Sequence, residues 1–99
     1  HVAKLARKMN INNNIGLVLG ATKTDKMRAI KKFSNSLPWL IPGVGHQGGS
    51  MENSINIGSL NNSCPIINVS RTIIYAGDGS ISDIRLSAEN YTKQIRKIL

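Results

Sequence analysis

The chain has one cysteine, Cys64, in 99 residues, so no disulfide can close within it and no thiolate cluster can hold a metal. Its two histidines, His1 and His46, have no partner at ligand spacing, which argues against a zinc site. No apolar run approaches the roughly 20 residues that cross a bilayer, and nothing near the start has the pattern of a signal peptide. Together these gaps point to a reducing, cytoplasmic setting with no membrane partner. Cys64 itself is expected to be a small packing residue ahead of a strand.

Aromatic and acidic residues are also scarce. Thirteen Lys and Arg stand against five Asp and Glu, for a formal net charge of +8. Such an excess is the usual footprint of a nucleic-acid binder, yet its distribution excludes a stacking platform. The cations are spread from Lys4 to Lys97, adjacent only in the separated pairs Arg7-Lys8, Lys31-Lys32 and Arg96-Lys97, and Phe33, Trp39, Tyr75 and Tyr91 are not interleaved with them. No nucleic-acid partner is expected. The acidic residues contain no Asp-x-Lys-x-x-Asp arrangement, and Lys23, Asp25 and Lys26 read as the charge pattern of a helix N-terminus.

What the chain does have is two apolar segments ending in residues suited to an anion. The first, Leu40-Ile-Pro-Gly-Val-Gly-His-Gln-Gly-Gly-Ser50, runs into a glycine loop. Gly43, Gly45, Gly48 and Gly49 allow close backbone approach and let N–H groups turn toward an oxyanion. Gln47 adds an amide donor without charge. His46 reads as a solvent-facing loop residue. The second, Pro65-Ile-Ile-Asn-Val-Ser-Arg71, ends in a guanidinium whose planar fork can grip two phosphate oxygens. A glycine cluster alone is usually a turn, and one Arg after a strand is usually solvated. Their recurrence at consecutive strand ends points to a small ligand bearing phosphate.

Three units of similar length follow a helix that carries Val2, Leu5, Ala6 and Met9 at helical spacing. They lie near 14–36, 37–62 and 64–99. In the first, Ile15–Ala21 is a strand leaving at Thr22. Its helix starts at Thr24 as N-cap, carries Met27, Ile30 and Phe33 on one face, and stops at Ser34-Asn-Ser and Pro38. In the second, Trp39–Val44 is a strand, and Ser50 caps a helix bearing Met51, Ile55 and Leu60, weakened at Gly58. In the third, strand Pro65–Val69 leads to a helical turn at Thr72–Tyr75. Ala76-Gly-Asp-Gly79 follows, then a last helix with Ser80 and Asp83 at capping-box spacing and Ile84, Ala88, Tyr91, Ile95 and Ile98 in a core-facing stripe. Arg85, Lys93 and Arg96 fall on its solvated face.

Strands alternating with helices predict an α/β fold with a parallel sheet. Right-handed crossovers would put all the strand exits on one face. Barrels of this kind bind phosphate at the loops after their last two strands, here Pro42–Ser50 and Ser70–Tyr75. Three units cannot close an eight-stranded barrel, and the chain starts at His1 inside a helix. The expectation is therefore the C-terminal segment of a single TIM (β/α)8-barrel domain.

The segments Asn14–Thr22, Leu40–Gly49 and Ile67–Ala76 resemble, in order and spacing, the last three strands of orotidine 5′-phosphate decarboxylase, closest to its longer-chain branch. The resemblance implies conversion of orotidine monophosphate to uridine monophosphate and CO2 with no metal or organic cofactor. It implies a nucleotide monophosphate as partner and a homodimer for the full-length protein. By the same likeness Gln47 and Arg71 hold the substrate phosphate, with Gly48 beside them and the Ser70 backbone N–H donating. Pro42, Gly43, Val44 and Gly45 form the pocket wall. His46, Ser50 and Val69 stand where the family usually has alanine, aspartate and serine; none removes a phosphate donor. The family's catalytic Lys and Asp network belongs to earlier strands, so no catalytic residue is assigned here. Two other readings remain open: another phosphate-binding βα barrel, and a basic nucleic-acid-binding module.

Overall fold

The computed structural model describes residues 1–21, 23–44 and 50–99. Helix α1 (Val2–Met9) precedes strand β1 (Leu17–Val18), helix α2 (Thr24–Ser34), strand β2 (Trp39–Ile41) and helix α3 (Met51–Gly58). A 3-10 turn at Leu60–Asn62, strand β3 (Pro65–Ile67), the short helix α4 (Arg71–Ile74) and helix α5 (Ile81–Ile98) complete it. The strands form one parallel sheet in the order β1-β2-β3, as the alternating pattern predicted.

Period-two alternation decides which side of the sheet the helices cover. Trp39 and Ile41 are fully buried, while Val18, Leu40 and Ile66 between them on the opposite face are exposed. Met27 from α2 and Ile57 from α3 pack on Trp39, Ile41 and Val44 to make the core, with Leu17, Leu19 and Ile67 against it. Helices thus lie over one face, and the other face, apolar throughout, is bare. Parallel sheets are ordinarily covered on both faces.

The α2 face differs from the predicted one. Phe33 is 39% exposed, whereas Lys31 and Ser34 are buried beside Met27. The reason is the large ring of Trp39. Its indole N–H donates to Ser34 Oγ at 3.2 Å, and Lys31 Nζ lies 4.8 Å from a ring centroid. Lys31 Nζ then donates to the Gly58 carbonyl at 2.9 Å, at the C-terminus of α3, where a cation complements the last unpaired carbonyls. Lys31 is therefore interior packing and adds nothing to a basic surface.

Burial holds the Lys31 ammonium below the ordinary lysine value of 10.5. The folded state then releases this proton at lower pH than the unfolded chain does, so stability rises with pH between the folded value and 10.5. Lys31→Met is expected to remove that rise while preserving volume. Urea denaturation midpoints taken from about pH 7 to about pH 10.5 check this, and an equal rise in the variant would refute it.

Other boundaries sharpen or shift the predicted ones. Lys23, not Thr24, is the N-cap of α2 and makes no side-chain cap bond; Thr24 Oγ1 instead accepts from Asn53 Nδ2 of α3 at 3.3 Å. Ser50 caps α3 as expected, accepting from the Asn53 N–H at 3.1 Å. That helix stops at Gly58, leaving Leu60 in the 3-10 turn and 44% exposed. Gly58 is required there because a Cβ would stand 2.7 Å from Pro65 Cβ. Cys64 is exposed, not buried, since it precedes the first paired residue of β3. The abundant asparagines have a conformational use: Asn13, Asn35, Asn61 and Asn62 take the left-handed backbone at turns.

Helix α5 begins at its expected cap, with Ser80 Oγ accepting from the Asp83 N–H at 3.1 Å. The reciprocal capping-box bond does not form. Asp83 Oδ2 accepts from the Asp78 N–H, while Ser80 N–H donates to Asp78 Oδ1, which holds the Asp78 carboxyl below its usual value. The stripe Ile84, Ala88, Tyr91, Ile95 and Ile98 is half-buried, and Arg85, Lys93 and Arg96 are exposed as predicted.

Candidate functional site

Parallel pairing of β2 with β3 sets Ile41 opposite Ile67, so both chains leave the same edge of the sheet. The Asn68 N–H donates to the Ile41 carbonyl at 3.1 Å and carries the pairing one residue further. Beyond that point the two segments diverge. Gly43 turns with φ of 76°, a conformation glycine adopts freely. On the other side the chain coils at once into α4, with the Ile73 and Ile74 N–H groups both on the Ser70 carbonyl.

A cavity of about 150 Å³ lies between these exits, with Gly43 and Val44 on one side and the run Asn68–Thr72 on the other. Helix α4 fixes the latter, and α5 braces α4 through Ser87 Oγ, which donates to the Thr72 carbonyl at 2.9 Å. The amide groups of Ser70, Arg71 and Thr72 find no acceptor among the described residues, and Thr72 Oγ1 is buried without a partner. Arg71 is exposed, and no carboxylate among the described residues pairs with it. The cavity thus offers backbone donors and one uncommitted guanidinium at a single spot, an arrangement suited to an anion with several oxygens.

Of the residues named from sequence, Ser70, Arg71, Gly43 and Val44 meet at this cavity. Val44 is also fully buried in the core, so its side chain anchors the wall from behind. Pro42 is half-buried and stands outside the cavity lining. Gln47, Gly48, Gly45 and His46 lie outside the described residues, as does Thr22. Three lining residues had been given no site role: Asn68, Val69 and Thr72. Strand alternation was the available signal for Asn68, which falls on the exposed face two residues beyond Ile66.

The carboxylates are occupied elsewhere. Asp78 and Asp83 brace the start of α5, and Glu89 Oε1 pairs with Arg85 at 3.0 Å. Asp25 and Glu52 sit in the first turns of α2 and α3, where they complement the helix dipole. No group of three or more possible metal ligands occurs among the described residues.

No protein-family model matches the chain. Individual relatives do: orotidine 5′-phosphate decarboxylase of Delftia acidovorans is 38% identical over 100 residues, covering 100% of this chain and 36% of the relative. The chain is homologous, over its whole length, to part of orotidine 5′-phosphate decarboxylase. The enzyme of the same name from Halobacterium salinarum is 39% identical over 79 residues, or 79% of this chain and 30% of its own. Among solved structures, Leishmania donovani UMP synthase superposes with a TM-score of 0.82 at 35% identity, over 98% of this chain and 21% of that one. Leishmania donovani OMP decarboxylase follows at 0.79 and 32%, over 98% and 36%. The chain therefore spans about a third of the length of these decarboxylases. Its three-stranded α/β fold is part of their TIM barrel. The bare apolar face of the sheet is the side such a barrel encloses.

Proposed function

We propose that this chain is the phosphate-holding end of an orotidine 5′-phosphate decarboxylase, the C-terminal segment of its single βα-barrel domain. The carrying observation is the cavity between the β2 and β3 exits, where Arg71 stands without a carboxylate partner beside the Ser70 amide. Likeness to decarboxylases over the full chain supports the choice of substrate, a nucleotide monophosphate.

Arg71 and the Ser70 N–H hold the phosphate, and Gln47 and Gly48 contribute further donors to it. Gly43, Val44 and Gly45 form the wall along the nucleotide, and Pro42, outside the cavity lining, leads into it. Binding at the phosphate, away from the reacting carbon, fixes the pyrimidine against groups that lower the barrier to loss of CO2; remote binding energy serves the transition state in this way. The Lys and Asp groups that destabilise the carboxylate and protonate the resulting carbanion come from outside this chain. No cofactor takes part. The reading is of a cytoplasmic enzyme, a homodimer at full length, and the exposed free thiol of Cys64 suits a reducing setting; among the described residues no helix is long and apolar enough to cross a membrane.

The test is release of CO2 from orotidine monophosphate by the full-length protein. Turnover giving uridine monophosphate is expected. A folded protein that binds uridine monophosphate without turnover would move the reading to another phosphate-binding barrel. Salt-sensitive binding of DNA or RNA without nucleotide affinity would replace it by a basic module.

A further inference from the structure

Asn68 has a role that Arg71 and the Ser70 amide leave open. It lies on the exposed face of the sheet, the side of Ile66, at the mouth of the cavity between the strand exits. Its backbone N–H is tied to the Ile41 carbonyl at 3.1 Å, so the position of its side chain follows from the strand ladder. Its Nδ2 donates to Ser70 Oγ at 3.2 Å.

The direction of that bond matters chemically. A hydroxyl has one proton to donate and two lone pairs to accept with, whereas an amide NH2 only donates. With Asn68 donating to it, Ser70 Oγ acts as acceptor toward Asn68 and keeps its own proton for another partner. The described residues supply no acceptor for that proton. A group in the cavity that can take it must be an acceptor, and an oxyanion is the strongest kind.

We infer that Asn68 is a positioning residue that presents the Ser70 hydroxyl as a further donor to the substrate phosphate. This rests on the proposed phosphate-holding function and adds a side-chain contact to the Ser70 backbone contact. It also gives the site selectivity: a neutral group with fewer acceptor oxygens cannot use the hydroxyl as fully as a phosphate does.

The experiment measures dissociation constants of the full-length protein for uridine monophosphate and for uridine, with circular dichroism and thermal midpoints as folding controls. Ser70→Ala keeps the backbone N–H and is expected to weaken uridine monophosphate about tenfold, leaving uridine unchanged. Asn68→Ala is expected to weaken it about three- to tenfold. The double variant is expected to be no weaker than Ser70→Ala alone, because Asn68 acts through that hydroxyl. Asn68→Asp preserves shape but accepts the hydroxyl proton, so it should bind uridine monophosphate no better than Asn68→Ala; a space-filling role would instead be rescued by it.

Additive losses in the double variant, equal losses for uridine, or rescue by Asn68→Asp would each overturn the inference. Arg71→Ala separates the two levels. Weakening by Arg71→Ala without weakening by Asn68→Ala sinks only the role of Asn68. Unchanged affinity in Arg71→Ala sinks the phosphate-holding function and this inference with it.

Discussion

Replacing Arg71 with alanine is expected to lower affinity for uridine monophosphate by about 2–4 kcal/mol, or roughly 30- to 1,000-fold. A guanidinium that meets a phosphate makes two charge-assisted hydrogen bonds and offsets a double negative charge, so its loss exceeds that of a neutral donor. Arg71→Lys should recover only part of the loss, since an ammonium cannot engage two oxygens in the same fork. Stability should change by no more than about 0.5 kcal/mol, because Arg71 is exposed and has no ion-pair partner among the described residues. Isothermal titration with uridine monophosphate and with uridine checks the claim. Unchanged affinity for the nucleotide, or an equal loss for the nucleoside, would remove Arg71 from the phosphate grip.

Trp39→Ala is expected to have the largest effect on folding, about 3–5 kcal/mol of destabilisation. Trp39 is fully buried at the centre of the sheet, with Met27, Ile41, Val44 and Ile57 in the same cluster. The truncation would open a cavity that α2 and α3 cannot both collapse into, since each is also tied to the other through Lys31 and Gly58. It would leave Ser34 Oγ without its indole donor as well. Trp39→Phe isolates the polar part: most of the ring remains and only the N–H and some volume go, so a loss nearer 1–2 kcal/mol is expected. Urea unfolding followed by circular dichroism measures both. Equal destabilisation by the two substitutions would show that the hydrogen bond, not packing, dominates.

Trp39 and Arg71 are linked through the strand ladder. Trp39 fixes β2 between β1 and β3, and the register of β2 with β3 decides where Gly43 and Arg71 emerge. A site built from strand ends inherits its precision from the strand ladder. Any change that shifts the β2–β3 register by one residue would turn Asn68 toward the helices and away from the cavity.

Some of this was legible without coordinates. Alternating apolar runs and amphipathic segments determined the parallel α/β order, because the two periodicities follow from local backbone geometry. The caps at Ser50 and Ser80 were equally local, since each needs only a hydroxyl and an N–H three residues on. Arg71 could be named because a guanidinium just past an apolar strand carries its chemistry in its identity, whereas the role of Ser70 came from the family resemblance alone. Tertiary contact decided the rest. Lys31 reads as a surface charge in the chain and becomes interior only where a Trp39 ring and a helix end converge on it. Cys64 reads as a packing residue and is exposed, because the sheet begins one residue later. Asn68 reads as an ordinary strand residue; its bond to Ser70 exists only because the chain coils into α4 immediately afterward. The sequence by itself determined which elements form and which residues can bind an anion, both being local properties. The structure decided which of those residues share a cavity, because that depends on strand register and on the side of the sheet the helices cover.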